Sequence, residues 1–368
     1  MACKAPAGTA IRYGAIRHEF ERGEQMKKIL AVCLGLGTAA LAADSLLING
    51  AGATFPFPLY SKWFSEYNKL HPNLKFNYQS IGSGGGIKQI TEGTVDFGAS
   101  DAVMTDEELA KAPDIQHIPT VLGSVVVVYN LPGIDGLKFG PDNLSGIFLG
   151  KIKTWDDPAI AAENPGIKLP QTAITVAHRS DGSGTTNIFT DYMAKVSPEW
   201  KQTVGVGKSV KWPAGLGGKG NEGVTGLVKQ NPGAVGYVEL AYAIQNKLTA
   251  APLKNKAGVF VKASIESTTA AAANVEVSED FRNSSVTNAD GKGAYPIAGF
   301  TYVLVHKDQK DRAKGEALLH FLWWAVHDGQ KMAAPLDYAP LPSPVVKKVE
   351  TALKKLTIDG RPLHFAKS

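Results

Sequence analysis

Three times along this 368-residue chain an apolar, strand-like run gives way to glycine and small hydroxyl residues, and then to a helical pattern. Leu46-Leu47-Ile48-Asn49 leads into Gly50-Ala51-Gly52-Ala53-Thr54-Phe55, after which Leu59, Trp63, Phe64, Tyr67 and Leu70 recur at helical spacing. Leu74 to Tyr78 alternates as a strand, and Gly82-Ser83-Gly84-Gly85-Gly86 then opens a short helix over Ile87–Glu92. Ile174-Thr175-Val176-Ala177 precedes Arg179-Ser180-Asp181-Gly182-Ser183-Gly184-Thr185-Thr186 and a helical run over 187–195. Strands that alternate with helices in this way predict an α/β layer fold with a largely parallel sheet.

The remaining segments extend the pattern. Phe97 to Asp101 reads as a short strand ending in an acid, and Thr105-Asp106-Glu107-Glu108 is a capping signal for the next helix. Val125 to Tyr129 is a continuous β-forming run, the mark of a buried strand. Asn130-Leu131-Pro132-Gly133 breaks the run and reads as a crossing into a second domain. That domain holds a helix over Val224–Lys229, a strand over Ala234–Val238, and a surface helix or loop over 263–274. Thr301 to Val305 reads as a buried strand returning to the first domain, which the helix carrying Leu318, Leu319, Phe321, Leu322, Trp323, Trp324 and Val326 closes. The expectation is a first domain of 43–130 with 296–368 and a second of 131–295, joined by two crossings, with a ligand cleft between them.

Residues 1–42 are set apart from the fold. Met26-Lys27-Lys28, the mostly apolar run Ile29 to Leu36, and small residues ending at Ala40-Leu41-Ala42 make a cleavable export signal, preceded by a leader over 1–25. The only cysteines, Cys3 and Cys33, lie in that portion, so the mature chain is expected to carry no thiol, disulfide or cysteine metal site. A net charge of +5 with lysines scattered among acids is not the clustered footprint of a nucleic-acid binder.

The three glycine-rich helix starts share one chemistry. Backbone N–H groups of a first helical turn lack intrahelical acceptors and carry the positive end of the dipole, so a small oxyanion fits there. Arg179 adds a planar cationic fork suited to tetrahedral oxyanions. Alone, its segment fits a Ser/Thr-rich helix start with Arg179 in a structural ion pair equally well. Two further segments of the same design shift the balance towards an anion gripped by both domains. Asp101 sharpens the chemistry, because a carboxylate repels an anion unless the anion has a proton to donate. Mono- and dihydrogen phosphate carry one and sulfate at neutral pH does not. Such a site discriminates by roughly 10⁴–10⁵ against a ligand lacking the donor. A turn or helix cap near Thr105 is the competing role for Asp101. Asp181 is expected to hold the Arg179 guanidinium in place.

At this point the resemblance is plain. Gly50-Ala-Gly-Ala-Thr-Phe-Pro56, Asp96-Phe-Gly-Ala-Ser-Asp101, Asp181-Gly-Ser-Gly-Thr185, Lys211-Trp-Pro-Ala-Gly-Leu-Gly-Gly-Lys-Gly220 and Gly233-Ala-Val-Gly-Tyr-Val-Glu239 resemble the periplasmic phosphate-binding proteins of bacterial ABC phosphate transporters, the PstS family. The likeness runs from about residue 46 almost to the C-terminus. It implies a two-lobed, type II periplasmic-binding-protein fold, two α/β domains joined by two hinge crossings, that closes on one phosphate and delivers it to a membrane permease. It further implies a periplasmic monomer with no cofactor, no metal and no catalysis. Carried over residue by residue, the family's ligands fall on Thr54, Phe55 (backbone N–H), Ser83, Asp101, Arg179, Ser183, Gly184 (backbone N–H) and Thr185. The chain departs from the family in His178, where a second arginine is common, and in Gly84, where serine is common.

Competing motifs are weaker. Gly218-Lys219-Gly220-Asn221-Glu222-Gly223 has the GxGxxG spacing, but no strand is expected immediately before it, so it reads as a loop. Gly207-Lys208-Ser209 lacks the upstream glycine of a P-loop, Gln202 standing there. Ser83 and Ser183 lack the spacing of a nucleophile elbow. The histidines are dispersed, with His178 expected at the cleft rim facing solvent, and Trp323-Trp324 reads as packing. The alternatives kept open are a secreted phosphatase using the same pocket and a binding protein for another oxyanion; arsenate, protonated like phosphate, is one that Asp101 does not exclude.

Overall fold

The computed structural model describes residues 45–363 and Phe365, so the export signal, the leader, both cysteines and His364 lie outside the described residues. Each strand–glycine–helix unit forms as the sequence predicts, with helices starting earlier than their apolar spacing implies. Strand β1 (Leu46–Gly52) runs into helix α1 (Phe57–Leu70), β2 (Leu74–Ser80) into α2 (Ser83–Thr91), and β3 (Phe97–Ser100) precedes α3 (Asp106–Lys111). Thr105 caps α3 through a full capping box with Glu108. Helix α1 buries Leu59, Tyr60, Trp63 and Tyr67, but Leu70, in its last turn, is exposed.

The central strand is β4 (Ile115–Tyr129), three times the length expected. Its first ten residues were hidden by Gln116, His117, Pro119 and Gly123, which break any β pattern when read locally. Pro119 is tolerated because the ladder is irregular opposite it, between Thr301 and Tyr302. The later strands are β5 (Thr175–Arg179), β6 (Leu216–Gly218), β7 (Ala234–Glu239), β8 (Thr249–Ala250) and β9 (Ala298–His306). Between them lie α4 (Gly184–Val196), α5 (Gly220–Gln230) and α6 (Leu240–Gln245), and α7 (Arg312–Val326) follows.

The strand order is β2-β1-β3-β9-β4-β7-β5-β6, with β8 also on β4. The sheet is mixed, not largely parallel. β1 is parallel to β2 and β3, and β5 to β6 and β7, whereas β9 is antiparallel to β3 and β4, and β4 to β7 and β8. The cause is long-range: β9 returns from far along the chain and inserts between β3 and β4. β4 then changes partner without breaking. Ile115 to Ser124 pair with β9, and Val125 to Tyr129 pair with β7. The change of partner therefore falls inside a continuous strand, upstream of the break read at Asn130–Gly133.

This topology decides where a site can form. Ser100 at the end of β3 lies beside Tyr302, midway along β9, and Ala298, the first residue of β9, pairs with Ser124. From the other direction Glu239, the end of β7, pairs with Val125. The carboxyl ends of two oppositely directed parallel groups thus converge on Ser124–Val125, where ligands of open α/β sheets gather. Segment 263–274 is more than surface. Its helix Ile265–Ala271 buries Thr268 and Ala271, and Thr268 shares a 2.7 Å hydrogen bond with Ser124.

Candidate functional site

Four helix starts face one another at this convergence. Ser183 caps α4 by accepting from the Thr186 N–H at 3.0 Å. Its neighbour Gly184 donates its N–H to Ser83 Oγ at 3.0 Å, across from α2, and the Gly84 N–H reaches the Gly182 carbonyl at 2.8 Å. The approach is close enough to require glycine: a Cβ on Gly184 would stand 2.5 Å from Ser83 Oγ and 2.6 Å from Asp101 Oδ2. Thr54, just before α1, accepts from the N–H of Asn221, in the first turn of α5, at 3.1 Å.

Arg179 ends β5 only 3% exposed, and Asp181 grips it through both oxygens, Nε to Oδ1 at 2.8 Å and Nη2 to Oδ2 at 2.6 Å. Burial works against the Asp181 charge, but the guanidinium outweighs it and holds the carboxyl below its ordinary range. The Gly220 N–H adds a third bond to Asp181 at 3.0 Å. Arg179 Nη1 remains directed at Thr185 Oγ1, 3.3 Å away.

Asp101 is 5% exposed and receives the Thr301 hydroxyl on Oδ1 at 2.8 Å. Thr301 flanks the irregularity in the β9 ladder. Burial pushes the Asp101 carboxyl up to about 7, against the opposing effects of the Thr301 hydrogen bond, the Arg179 charge and the Ser83 hydroxyl.

The hydroxyls share a polarity. A hydroxyl has one O–H donor and two acceptor lone pairs. Ser83 Oγ accepts from the N–H groups of Gly184 and Asp101, at 3.0 and 3.1 Å. Thr54 Oγ1 accepts from the Asn221 N–H and from Asn221 Nδ2, at 3.1 and 2.7 Å. Thr185 Oγ1 accepts from Arg179 Nη1 and Asn221 Nδ2, at 3.3 and 3.2 Å. Each oxygen has its acceptor capacity filled and keeps one proton to give; the Ser83 proton lies beside the Asp101 carboxyl, whereas those of Thr54 and Thr185 are not so engaged. These hydroxyls and an arginine suit an acceptor-rich anion, while the Asp101 carboxyl suits a protonated oxygen of the same ligand.

Residues 36–328 match a family model described as a PBP superfamily domain. The phosphate-binding protein PstS of Xylella fastidiosa (strain Temecula1 / ATCC 700964) is 51% identical over 317 residues, covering 85% of this chain and 86% of that protein. The phosphate-binding protein PstS of Pasteurella multocida (strain Pm70) is 48% identical over 331 residues, covering 89% and 96%. The chain belongs to the PstS family. A subatomic-resolution structure of a high-affinity periplasmic phosphate-binding protein, PfluDING, bound with phosphate, aligns with a TM-score of 0.67 over 83% of this chain and 93% of that one. At 22% identity that likeness speaks for the fold alone.

In this PstS-family chain Thr54, Phe55, Ser83, Asp101, Arg179, Asp181, Ser183, Gly184 and Thr185 are brought to one place. Ser183 serves as the α4 cap, and Phe55 is held by its carbonyl, which accepts from Tyr338 Oη at 2.6 Å. Tyr242 likewise holds the Thr54 carbonyl at 2.6 Å. Two expectations change. His178 does not face solvent at a rim: it lies half-buried and flat on Trp212, ring centroids 4.7 Å apart, and its Nδ1–H donates to the Arg179 carbonyl at 3.0 Å. Burial lowers its pKa. The Gly218–Gly223 segment is preceded by a strand after all, since β6 runs into α5. β6 has only three residues and pairs with β5, a contact invisible in local sequence. Asn221, Thr301, Tyr242 and Tyr338 were missed; an asparagine inside a glycine-rich helix start was the one available signal.

Proposed function

We propose that this protein captures one inorganic phosphate ion in the cradle and hands it to the membrane permease of an ABC importer, making and breaking no covalent bond. The names of its PstS relatives support the ligand. The observation that carries the reading is a buried carboxyl, Asp101, set among hydroxyl and N–H donors beside Arg179. Phosphate brings a proton to that carboxyl and sulfate brings none. Discrimination rests on ionised Asp101, because a protonated carboxyl would donate to sulfate as well, so selectivity is strongest above the pH at which Asp101 titrates. The ligands are Thr54, Phe55, Ser83, Asp101, Arg179, Ser183, Gly184 and Thr185, with Asp181 orienting Arg179.

The two strand groups that meet within β4, on either side of Ser124–Val125, act as lobes and close on the ion as a monomer. The segment ending at Ala42 exports the chain to the periplasm. No helix among the described residues is long and apolar enough to cross a membrane.

The test is calorimetric titration of the mature, phosphate-stripped protein with phosphate and with sulfate at about pH 8, above the value of about 7 to which burial raises Asp101. One-to-one phosphate binding without a sulfate signal is expected; equal or preferred sulfate binding would overturn the reading. Asp101→Asn should collapse the phosphate-to-sulfate affinity ratio more than it weakens phosphate binding. An unchanged ratio would remove Asp101 from the recognition.

A further inference from the structure

We infer that Asn221 fixes the direction in which the cradle hydroxyls donate, and is thereby a positioning residue for the anion; the inference rests on the phosphate reading above. Asn221 is fully buried in the first turn of α5. The orientation of its side-chain amide follows from its partners. One end faces the Glu239 N–H at 2.9 Å, and a backbone N–H only donates, so that end is Oδ1. Nδ2 is therefore the atom that meets Thr54 Oγ1 at 2.7 Å and Thr185 Oγ1 at 3.2 Å. An amide nitrogen has no acceptor capacity, so both hydroxyls must receive from it and turn their own protons elsewhere. The Asn221 backbone N–H and Arg179 Nη1 fill the second acceptor positions on Thr54 and Thr185.

The glycine spacing around Asn221 acquires a purpose in this geometry. Gly220 takes φ +72°, which lets consecutive N–H groups reach Asp181 and then Thr54. Gly218 packs so tightly on the helix start that a Cβ there would stand 2.5 Å from the Gly223 carbonyl carbon. The segment with dinucleotide-motif spacing thus seats an asparagine against the cradle. Through it Thr54, following β1, is tied to Thr185 on α4 and to Glu239 at the end of β7. A threonine hydroxyl free to rotate would present a mixture of donor and lone pairs; with Asn221 in place Thr54 and Thr185 each present a donor to the oxyanion, and the acceptor role is left to Asp101.

Inorganic phosphate is titrated into wild-type protein and into Asn221→Ala, Asn221→Asp, Thr54→Val and the Asn221→Ala/Thr54→Val double variant, with melting of each ligand-free protein measured in parallel. Asn221→Ala should weaken phosphate about tenfold, the loss of one or two oriented hydrogen bonds. Asn221→Asp should weaken it by about 100-fold or more, because a carboxylate would draw the hydroxyl protons to itself and add like charge. The double variant should lose clearly less than the product of the two single losses, since the oriented Thr54 donor can be lost only once while the Thr185 share of the Asn221 effect remains. A purely structural Asn221 would lower melting temperature and leave the affinity of the folded protein intact. Affinity within about twofold of wild type in Asn221→Ala, or single losses that multiply in the double variant, would overturn the inference. Should Asn221→Asp fail to fold, the Ala variant and the cycle decide it alone. Wild-type protein that binds no phosphate would instead overturn the phosphate reading, so the two failures are told apart.

Discussion

Replacing Asp101 by Asn should abolish a pH dependence that the phosphate-free protein carries in its folding stability. Burial raises this carboxyl from 3.8 to about 7 in the fold, whereas in the unfolded chain it titrates near ~3.9. Between those values the folded protein holds one proton more than the unfolded chain. Stability therefore falls as pH rises, by at most about 1.4 kcal/mol per pH unit. Across the window this accumulates to on the order of 4 kcal/mol, and above about pH 7 the loss levels off because both states are ionised. The assay is urea unfolding of phosphate-free wild type and Asp101→Asn from about pH 4.5 to 8, read as the difference in unfolding free energy at each pH. Subtraction cancels buried groups that do not feel Asp101, such as His117, lowered to about 4 by burial. The wild-type advantage should shrink through the window and then stay level. A difference that is flat or grows with pH would refute the reasoning, because it would mean that Asp101 is already ionised in the fold at its ordinary pKa.

Two further outcomes follow from contacts in the same region. Asp181→Ala leaves the Arg179 guanidinium buried without its bidentate partner and should cost the phosphate-free protein about 3–5 kcal/mol. Saturating phosphate should recover part of that deficit in thermal melting, and equal deficits with and without phosphate would show that the anion does not compensate Arg179. Gly86→Ala would place a Cβ 2.5 Å from the Ala99 carbonyl oxygen and 2.6 Å from Gly52 Cα, both backbone. Overpacking of this kind should cost about 1–3 kcal/mol, and an unmoved urea midpoint would refute the tight seating of α2 on β1 and β3.

The features legible in the sequence are those whose causes are local. A strand running into glycine and then into a helix is written within ten or so residues, and so is the Thr105–Glu108 capping box, both of whose hydrogen bonds form. The bidentate Arg179–Asp181 pair joins residues two apart. What escaped depends on partners distant in the chain. The first ten residues of β4 form a strand because β9 lies alongside them, so Gln116, His117 and Pro119 gave no periodic sign. The sheet's mixed direction comes from the same insertion. Asn221 reaches Thr54 across 167 positions of sequence and Thr185 across 36, and only the fold makes them neighbours.

β4 also has a mechanical consequence. It works as a beam clamped at both ends: Ile115 to Ser124 are bonded to β9, and Val125 to Tyr129 to β7. A loop between two bodies concentrates motion in one or two soft dihedrals, but a paired strand has none to spare. Any rotation of one strand group against the other must be shared as twist along residues on both sides of Ser124, within the tolerance of their hydrogen bonds. Neighbouring strands already differ by about 20–25° in ordinary sheets, so modest changes of twist break no ladder. Such a joint stores the work of bending elastically and returns it. The strand's own ladder thus helps set the rest position of the two groups, and a ligand would have to work against that spring to draw them together.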